Sequence, residues 1–131
     1  MRTLVVEDDF TSRLLLQEIL KRYGDVHIAV NGKEAVAAVS ATMDAGEPYD
    51  LICLDIMMPE MDGYQALDEI RRLEKEQGIL PPGGAKIVMT TALHQMKNIA
   101  EAFYGLCDGY LYKPIDKGKL LKQLRELKLV A

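Results

Sequence analysis

Side chains that can do chemistry follow or close apolar runs at four places in this sequence. Carboxylates stand after two of the runs, a threonine closes another, and a lysine follows the last. They are Glu7, Asp8 and Asp9 after the run at 3–6, Asp55 after the run at 51–54, Thr91 directly after the run at 86–90, and Lys113 after the run at 109–112. Several carboxylates, a hydroxyl and an amine are therefore expected near one another at strand ends.

Clustered carboxylates favour a bound cation, because like charges repel and the burial of an unpaired charge is costly. Oxygen ligands without His or Cys favour a hard ion, and few protein ligands with room for water favour Mg²⁺ over Ca²⁺. A divalent ion beside a lysine can offset the charge of a phosphoryl group during in-line attack. Asp55 is then the candidate nucleophile, which would form an acyl phosphate.

Each of these residues also has an ordinary structural interpretation. An aspartate after a strand often caps the next helix, and this applies to Asp9 above all. Thr91 can simply favour a strand end, and Lys113 can be a solvated lysine. The functional interpretation is favoured because unrelated caps need not lie at the same edge of a sheet in three separate crossovers.

The elements that must position these residues form an alternating pattern, in which five short apolar runs alternate with five helical patterns. The runs lie at 3–6, 26–30, 51–54, 86–90 and 109–112, and the candidate helix caps are Asp9, Asn31, Asp62 and Asp116. Three of the runs are continuous, which is typical of strands covered on both faces. Strict alternation predicts an α/β fold with a parallel sheet, right-handed crossovers and helices on both faces.

Length and charge narrow the functional classes. The 131 residues are expected to form a single domain, 1–131, with no output domain. The net charge of −4 argues against direct nucleic-acid binding. No apolar run approaches the ~20 residues that span a membrane, and the N-terminus is unlike a signal peptide, so the expected location is cytoplasmic.

The segment at 78–85 is rich in Pro and Gly and is predicted to be an irregular loop.

Four motifs together give the whole chain a specific resemblance to the receiver domain of bacterial two-component response regulators. They are LVVEDD, DIMMPEMDG, TTA and YLYKP, in this order and at strand ends. The resemblance implies a flavodoxin-like (βα)5 fold, a doubly wound five-stranded parallel sheet of order 2-1-3-4-5. It also implies a signalling phospho-acceptor that catalyses its own Mg²⁺-dependent phosphorylation and dephosphorylation, and not an enzyme with a separate substrate.

The resemblance implies roles for the residues that would handle the phosphoryl group. Asp55 is expected to accept it, Thr91 to donate a hydrogen bond to one of its oxygens, and Lys113 to pair with it. The Lys113–Pro114 peptide bond is usually cis in this family.

The resemblance also implies a set of metal ligands. Mg²⁺ would be held by Glu7, Asp8, Asp55 and the backbone carbonyl of Met57, with Glu7 acting mostly through water. The EDD motif offers three acids for an acidic pair. The position of the acids relative to LVV favours Glu7 and Asp8 as the acidic pair, and Asp9 then stands at the start of the first helix.

Tyr110 matches the switch aromatic of the family, and its alternative interpretation is an ordinary strand aromatic. In the usual account the site threonine, Thr91, moves toward the phosphate and the aromatic ring turns inward. The resulting output surface would consist of the fourth predicted helix, strand 5 and the fifth predicted helix, with His94, Lys97, Asn98, Tyr110 and Lys117. The implied partners are a sensor histidine kinase or phosphotransfer protein as donor, and a downstream protein target; a second copy of the chain is an alternative occupant of the output surface.

Two positions depart from many family members. Met57 and Leu93, each two residues after a site residue, are apolar here, whereas some members carry polar groups there. We hypothesise that the apolar side chains shield the acyl phosphate from the hydrolytic water.

Two rival functions remain. A Mg²⁺-dependent phosphohydrolase of the haloacid dehalogenase type needs an acid two residues after its aspartyl nucleophile, where this chain has Met57, which cannot transfer a proton. A pseudo-receiver, a binding module that never takes phosphate, usually lacks the acceptor, an acidic-pair residue or the lysine, and all of these are retained.

Overall fold

The computed structural model describes residues 1–79, 83–92 and 106–131, and its strands and helices alternate along the chain. In chain order the elements are β1 (Thr3–Val6), α1 (Phe10–Leu20), a 3-10 helix (Lys21–Tyr23), β2 (Val26–Ala29), α2 (Gly32–Asp44), β3 (Leu51–Asp55), α3 (Gly63–Glu76), β4 (Lys86–Thr91), β5 (Gly109–Tyr112) and α4 (Lys117–Glu126). The fifth helix expected from the sequence is therefore α4. The expected fourth helix falls in 93–105, outside the described residues.

The strands form one parallel sheet in the order β2-β1-β3-β4-β5. This order confirms the doubly wound, flavodoxin-like fold that the family resemblance implies. Strand order reverses between β1 and β3, which lie side by side at the centre of the sheet, and this reversal is where open α/β sheets bind ligands. Within the described residues, no helix is both long enough and apolar enough to cross a membrane.

Helices cover both faces of the sheet, and each face has its own hydrophobic core. On one face α2 and α3 pack against side chains such as Leu54 and Met89. On the other face α1 and α4 pack against Val5, Cys53 and Val88. Because side chains alternate along a strand, these two clusters identify the face to which each strand residue belongs.

Side-chain caps begin the four described α-helices, as the sequence predicts. In each case an Asp or Asn oxygen accepts a hydrogen bond from a backbone N–H of the first turn, which satisfies one of the unpaired donors of a helix start. The pairs are Asp9 with Ser12, Asn31 with Glu34, Asp62 with Gln65 and Asp116 with Lys119.

Candidate functional site

The third strand carries a carboxylate to the carboxyl edge of the sheet. All five residues of β3, Leu51–Asp55, are buried, and Asp55 itself is 3% exposed. The sequence pattern predicted a strand that stops at residue 54, whereas the strand includes Asp55. An ionisable group is therefore held by sheet hydrogen bonds on a rigid element, which fixes its position.

One ammonium group joins the buried carboxylates of two different strands. The Nζ of Lys113, just after β5, lies 2.9 Å from Oε2 and 3.0 Å from Oε1 of Glu7. The same nitrogen lies 3.2 Å from Oδ1 of Asp55. Glu7 is fully buried. The sequence placed these three residues at strand ends, and the structure brings their charged groups into contact.

Three acids converge on a small volume beside this ion pair. Glu7, Asp8 and Asp55 each offer a carboxylate oxygen, and these oxygens lie within 4.8 Å of one another. Asp8 is exposed, so the group opens toward solvent. Asp9 instead caps α1, accepting a hydrogen bond from the backbone N–H of Ser12 at 2.9 Å. An all-oxygen donor set of this size, open on one side, fits a hard divalent ion that keeps part of its water.

Electrostatics in this cluster oppose ionisation of Asp55. Burial, followed by the negative charge of Glu7, raises the pKa of Asp55 from 3.8 to about 7, although Lys113 acts in the opposite direction. Burial acts to lower the pKa of Lys113, but hydrogen bonds and attraction from Glu7 and Asp55 outweigh it and raise that pKa. The site therefore holds more negative charge than one ammonium compensates, as expected of a cation site.

The loop after Asp55 is held close to the strand by backbone hydrogen bonds. The N–H of Ile56 donates to the carbonyl of Thr90 at 3.0 Å, and the N–H of Gly63 donates to the carbonyl of Ile56 at 2.8 Å. A Cβ at Gly63 would collide with the backbone of Asp55 and Ile56, so only glycine permits this approach. Met57, two residues after Asp55, is 57% exposed. The Asp62–Gly63 pair thus anchors α3 against the site.

Thr91 and Tyr110 lie on the same face of the sheet. Thr91 is buried, and its hydroxyl donates to the carbonyl of Ala92 at 3.1 Å. The hydroxyl oxygen of Tyr110 is also buried, and burial, followed by the neighbouring Cys107 and Tyr64, raises the pKa of Tyr110. The hydroxyl of Tyr110 is therefore enclosed, while the residue as a whole is partly buried against the core on this face. The Lys113–Pro114 peptide bond is cis, as the resemblance implies.

The expected output surface is described only in part. Tyr110 belongs to β5, and Lys117 is exposed at the start of α4. His94, Lys97 and Asn98 lie outside the described residues, and so does Leu93.

Arg13 is a neighbour of the site that the sequence patterns did not predict. Its Nη1 donates to the backbone carbonyl of Glu7 at 3.1 Å, and its guanidinium lies 5.5 Å from the centre of the Phe10 ring. Phe10 is 65% exposed, and Leu14, one turn later, is 45% exposed. The sequence offered one indication of this surface, because Phe10 and Leu14 are apolar residues that lie outside the buried face of α1.

The comparisons with known proteins agree with this geometry. The Response regulator receiver domain family matches residues 3–125. The osmosensing histidine protein kinase SLN1 of Saccharomyces cerevisiae is 33% identical over 128 residues, which are 96% of this chain and 10% of that protein. Chemotaxis protein CheY of Bacillus subtilis is 29% identical over 130 residues, or 95% of each chain. The chain spans 6–12% of the length of the first histidine kinases that it matches.

Solved structures show the same fold. The crystal structure of the receiver domain of the histidine kinase CKI1 from Arabidopsis thaliana, complexed with Mg²⁺, matches with a TM-score of 0.80 at 32% identity, covering 96% of this chain and 90% of that chain. A chain of the co-crystal structure of the Saccharomyces cerevisiae phosphotransfer protein Ypd1 and the receiver domain of Ssk1 matches with a TM-score of 0.79 at 28% identity, covering 96% and 87%. With the family match over most of the sequence, these findings establish that the chain belongs to the response regulator receiver domain family of two-component and phosphorelay systems.

Proposed function

We propose that this chain accepts a phosphoryl group on Asp55 from a phosphohistidine of a sensor histidine kinase or phosphotransfer protein, and that phosphorylation changes its contacts with a downstream protein. The observation that carries the proposal is the convergence of Asp55 with Glu7, Asp8 and Lys113 at the carboxyl edge of the sheet. A nucleophilic carboxylate, a cation site and an ammonium that can pair with phosphoryl oxygens are groups that favour phosphoryl transfer.

The transfer is an in-line exchange of one bond for another. A carboxylate oxygen of Asp55 forms a bond to phosphorus while the P–N bond of the phosphohistidine breaks, and the electron pair of that bond returns to the imidazole nitrogen. The ammonium of Lys113, 3.2 Å from Asp55 in the resting protein, pairs with the incoming phosphoryl oxygens. The Thr91 hydroxyl donates to a phosphoryl oxygen. Water reverses the modification later by attacking phosphorus and releasing inorganic phosphate.

Mg²⁺ is the proposed cofactor. Glu7, Asp8 and Asp55, with the backbone carbonyl of Met57, would hold it, and their oxygen donors fit its preference. When bound, the ion supplies positive charge that offsets the carboxylates and the phosphoryl oxygens. Support comes from similar proteins, because the receiver domain of CKI1, 32% identical, and that of a Pseudomonas aeruginosa sensor histidine kinase, 25% identical, were crystallised with magnesium.

The donor protein must bring its phosphohistidine to a carboxylate at the sheet edge, so it must contact the surface around that edge. Exposed apolar side chains lie on the two segments that follow the site carboxylates: Phe10, Leu14 and Leu15 on α1, and Met57 in the loop after β3. Apolar residues surrounded by polar ones mark protein interaction sites. We assign this α1 surface to the phosphohistidine-bearing partner, and the segment from 93 to α4 to the downstream target or a second copy of the chain.

The phosphohydrolase alternative is not favoured by the site. The position two residues after Asp55 is Met57, whose thioether cannot protonate a leaving group. A binding module without phosphorylation is also not favoured, because Asp55, Glu7, Asp8 and Lys113 are all present and their charged groups converge.

Intact mass spectrometry tests the proposal. The protein is incubated with acetyl phosphate in Mg²⁺ or in EDTA, and we expect a gain of one phosphate only with Mg²⁺. Asp55→Asn should abolish the gain. Asp9→Asn is the matched control, because Asn keeps the helix cap and removes an acid that does not belong to the group of three converging carboxylates. A gain that survives in Asp55→Asn, or that needs no metal, contradicts the proposal.

A further inference from the structure

The peptide unit that joins the two acids after β1 is held by a side chain of α1. Nη1 of Arg13 donates to the backbone carbonyl of Glu7 at 3.1 Å. That carbonyl lies in the same rigid plane as the backbone nitrogen and the Cα of Asp8, because a peptide unit does not rotate freely about its C–N bond. The contact therefore fixes the direction in which the backbone enters Asp8.

Asp8 depends on this contact more than Glu7 does. The carboxylate of Glu7 is buried, and it is held by Nζ of Lys113 at 2.9 and 3.0 Å and by the backbone N–H of Asp9 at 3.1 Å. Asp8 is exposed, and its carboxylate accepts no hydrogen bond from the described residues. Its place within 4.8 Å of the oxygens of Glu7 and Asp55 is therefore set by the backbone that carries it.

An aromatic ring holds the guanidinium of Arg13 in its turn. The Cζ atom of Arg13 lies 5.5 Å from the centre of the ring of Phe10, three residues earlier on α1. An arginine suits both contacts, because its flat guanidinium can face a ring while an N–H in the same plane donates to a carbonyl, and a lysine ammonium lacks this geometry. An exposed phenylalanine is thus linked, through one side chain, to the backbone of the acids.

We propose that Arg13 is a positioning residue of the Mg²⁺ site, which holds the peptide between Glu7 and Asp8 so that the Asp8 carboxylate stays with the other two, and that Phe10 supports it. The inference rests on the proposed function and extends it to two residues outside the proposed ligand set. The charge of Arg13 acts in the opposite sense, because one cation repels another. Removal of the guanidinium would tighten Mg²⁺ binding if only its charge mattered, whereas loss of positioning weakens binding.

An NMR titration with MgCl₂ at constant ionic strength provides the test. The dissociation constant is obtained from the amide chemical shifts of residues around the site, for wild type, Arg13→Met, Phe10→Leu and the double variant. The Tm in EDTA is measured alongside, because a contact that only supports the fold changes Tm and not the affinity of the folded protein. The matched control is Arg22→Met, which removes the same charge from an exposed position in the 3-10 helix after α1.

We expect Arg13→Met to weaken Mg²⁺ binding about tenfold and Phe10→Leu about threefold. In the double variant, Phe10→Leu should cause no loss beyond that of Arg13→Met, because its effect passes through the guanidinium. Arg22→Met should stay within about 1.5-fold of wild type, since an exposed charge at that distance is screened by salt.

Equal or tighter Mg²⁺ binding in Arg13→Met would overturn the role of Arg13, and so would an equal loss in Arg22→Met. Unchanged binding in Phe10→Leu, or a further loss in the double variant, would overturn the link through the ring. Phe10→Leu also decides the question if Arg13→Met does not fold, because Phe10 is 65% exposed. A wild-type protein that binds no Mg²⁺ and gains no phosphate from acetyl phosphate would overturn the proposed function together with the inference.

Discussion

The Nζ of Lys113 lies 2.9 Å from Oε2 of Glu7, a residue that stands 106 positions earlier in the chain. This contact joins the end of β5 to the end of β1 across the intervening strands β3 and β4. Asp55, on β3, shares the same ammonium at 3.2 Å. Lys113 is therefore a structural counter-ion in the resting protein as well as the proposed partner of the phosphate.

Replacing Lys113 by Met should destabilise the metal-free protein. The change keeps the length of the side chain and removes its charge, so the buried carboxylate of Glu7 loses its cation. The side chain of Lys113 is 25% exposed, so we expect a loss of about 2 kcal/mol in the free energy of unfolding, less than for a fully buried pair. Mg²⁺ should restore part of this loss by supplying positive charge to the same carboxylates. Urea unfolding in EDTA and in Mg²⁺ measures both effects.

The matched control for this change is Lys122→Met, on the exposed side of α4. It should alter the free energy of unfolding by no more than about 0.5 kcal/mol, with or without Mg²⁺. Equal losses in the two variants would show that the ion pair of Lys113 does not stabilise the fold.

Asp55→Asn should stabilise the metal-free protein in a pH-dependent way. The folded-state pKa of Asp55 is raised from 3.8 to about 7, mainly by burial and then by Glu7. The folded protein therefore holds a proton that the unfolded chain releases, and stability decreases as pH rises between these two values. Removing the ionisable group should remove this decrease. The expected gain over wild type is on the order of 2 kcal/mol at a pH of about 8 and vanishes at a pH of about 4.

Thermal unfolding in EDTA across this pH range measures the effect. The pH profiles of wild type and Asp55→Asn should converge in acid and separate toward neutral pH. Asp50→Asn serves as a control, because Asp50 is an exposed acid at the other edge of the sheet, just before β3. A variant that is less stable than wild type at a pH of about 8 would mean that the charge of Asp55 stabilises the resting fold.

Met57 should influence how long the acyl phosphate survives. Met57 is 57% exposed and stands two residues after Asp55, the proposed acceptor. A polar group at this position could orient the attacking water, so Met57→Glu and Met57→Asn should speed loss of the phosphoryl group at least about threefold. Met57→Leu, which keeps an apolar surface, should decay as wild type does. The decay of the phosphorylated mass after removal of acetyl phosphate measures the rate, and equal rates in all four proteins would disprove shielding.

Local patterns in the sequence were sufficient to predict most of the fold. The helix caps depend on residues three apart, such as Asp62 and Gln65, and continuous apolar runs indicate strands buried on both faces. The alternation predicted a parallel sheet, so the charges at strand ends were expected at one edge, whereas the strand order came from the family resemblance. The contacts between these groups could not be predicted in detail, because which oxygen faces Lys113 depends on the packing of three strands.

An ionic network at the opposite edge of the sheet was not predicted at all. Arg71 of α3 contacts Glu74 at 2.7 Å and Asp108 at 3.0 Å, and Glu74 is 5% exposed. The same guanidinium donates to the carbonyls of Ala85 and Leu106. The sequence shows only the local pair in α3, because the other partners stand 14 to 37 positions away. The network fastens α3 to the segments that lead into β4 and β5.

Arg71→Met should therefore cost far more stability than its neighbour Arg72→Met. Removal of Arg71 leaves the buried carboxylate of Glu74 without its cation and two carbonyls without donors, so we expect a loss of about 3 kcal/mol in the free energy of unfolding. Arg72 pairs with Asp68 and Glu69 on the surface, where its side chain is 56% exposed, and its loss should cost about 0.5 kcal/mol or less. Urea unfolding of the two variants in one buffer gives the comparison. Since both variants remove one positive charge from α3, a difference between them reports burial and hydrogen bonding, and equal losses would show that the Arg71 network contributes no more than a surface ion pair.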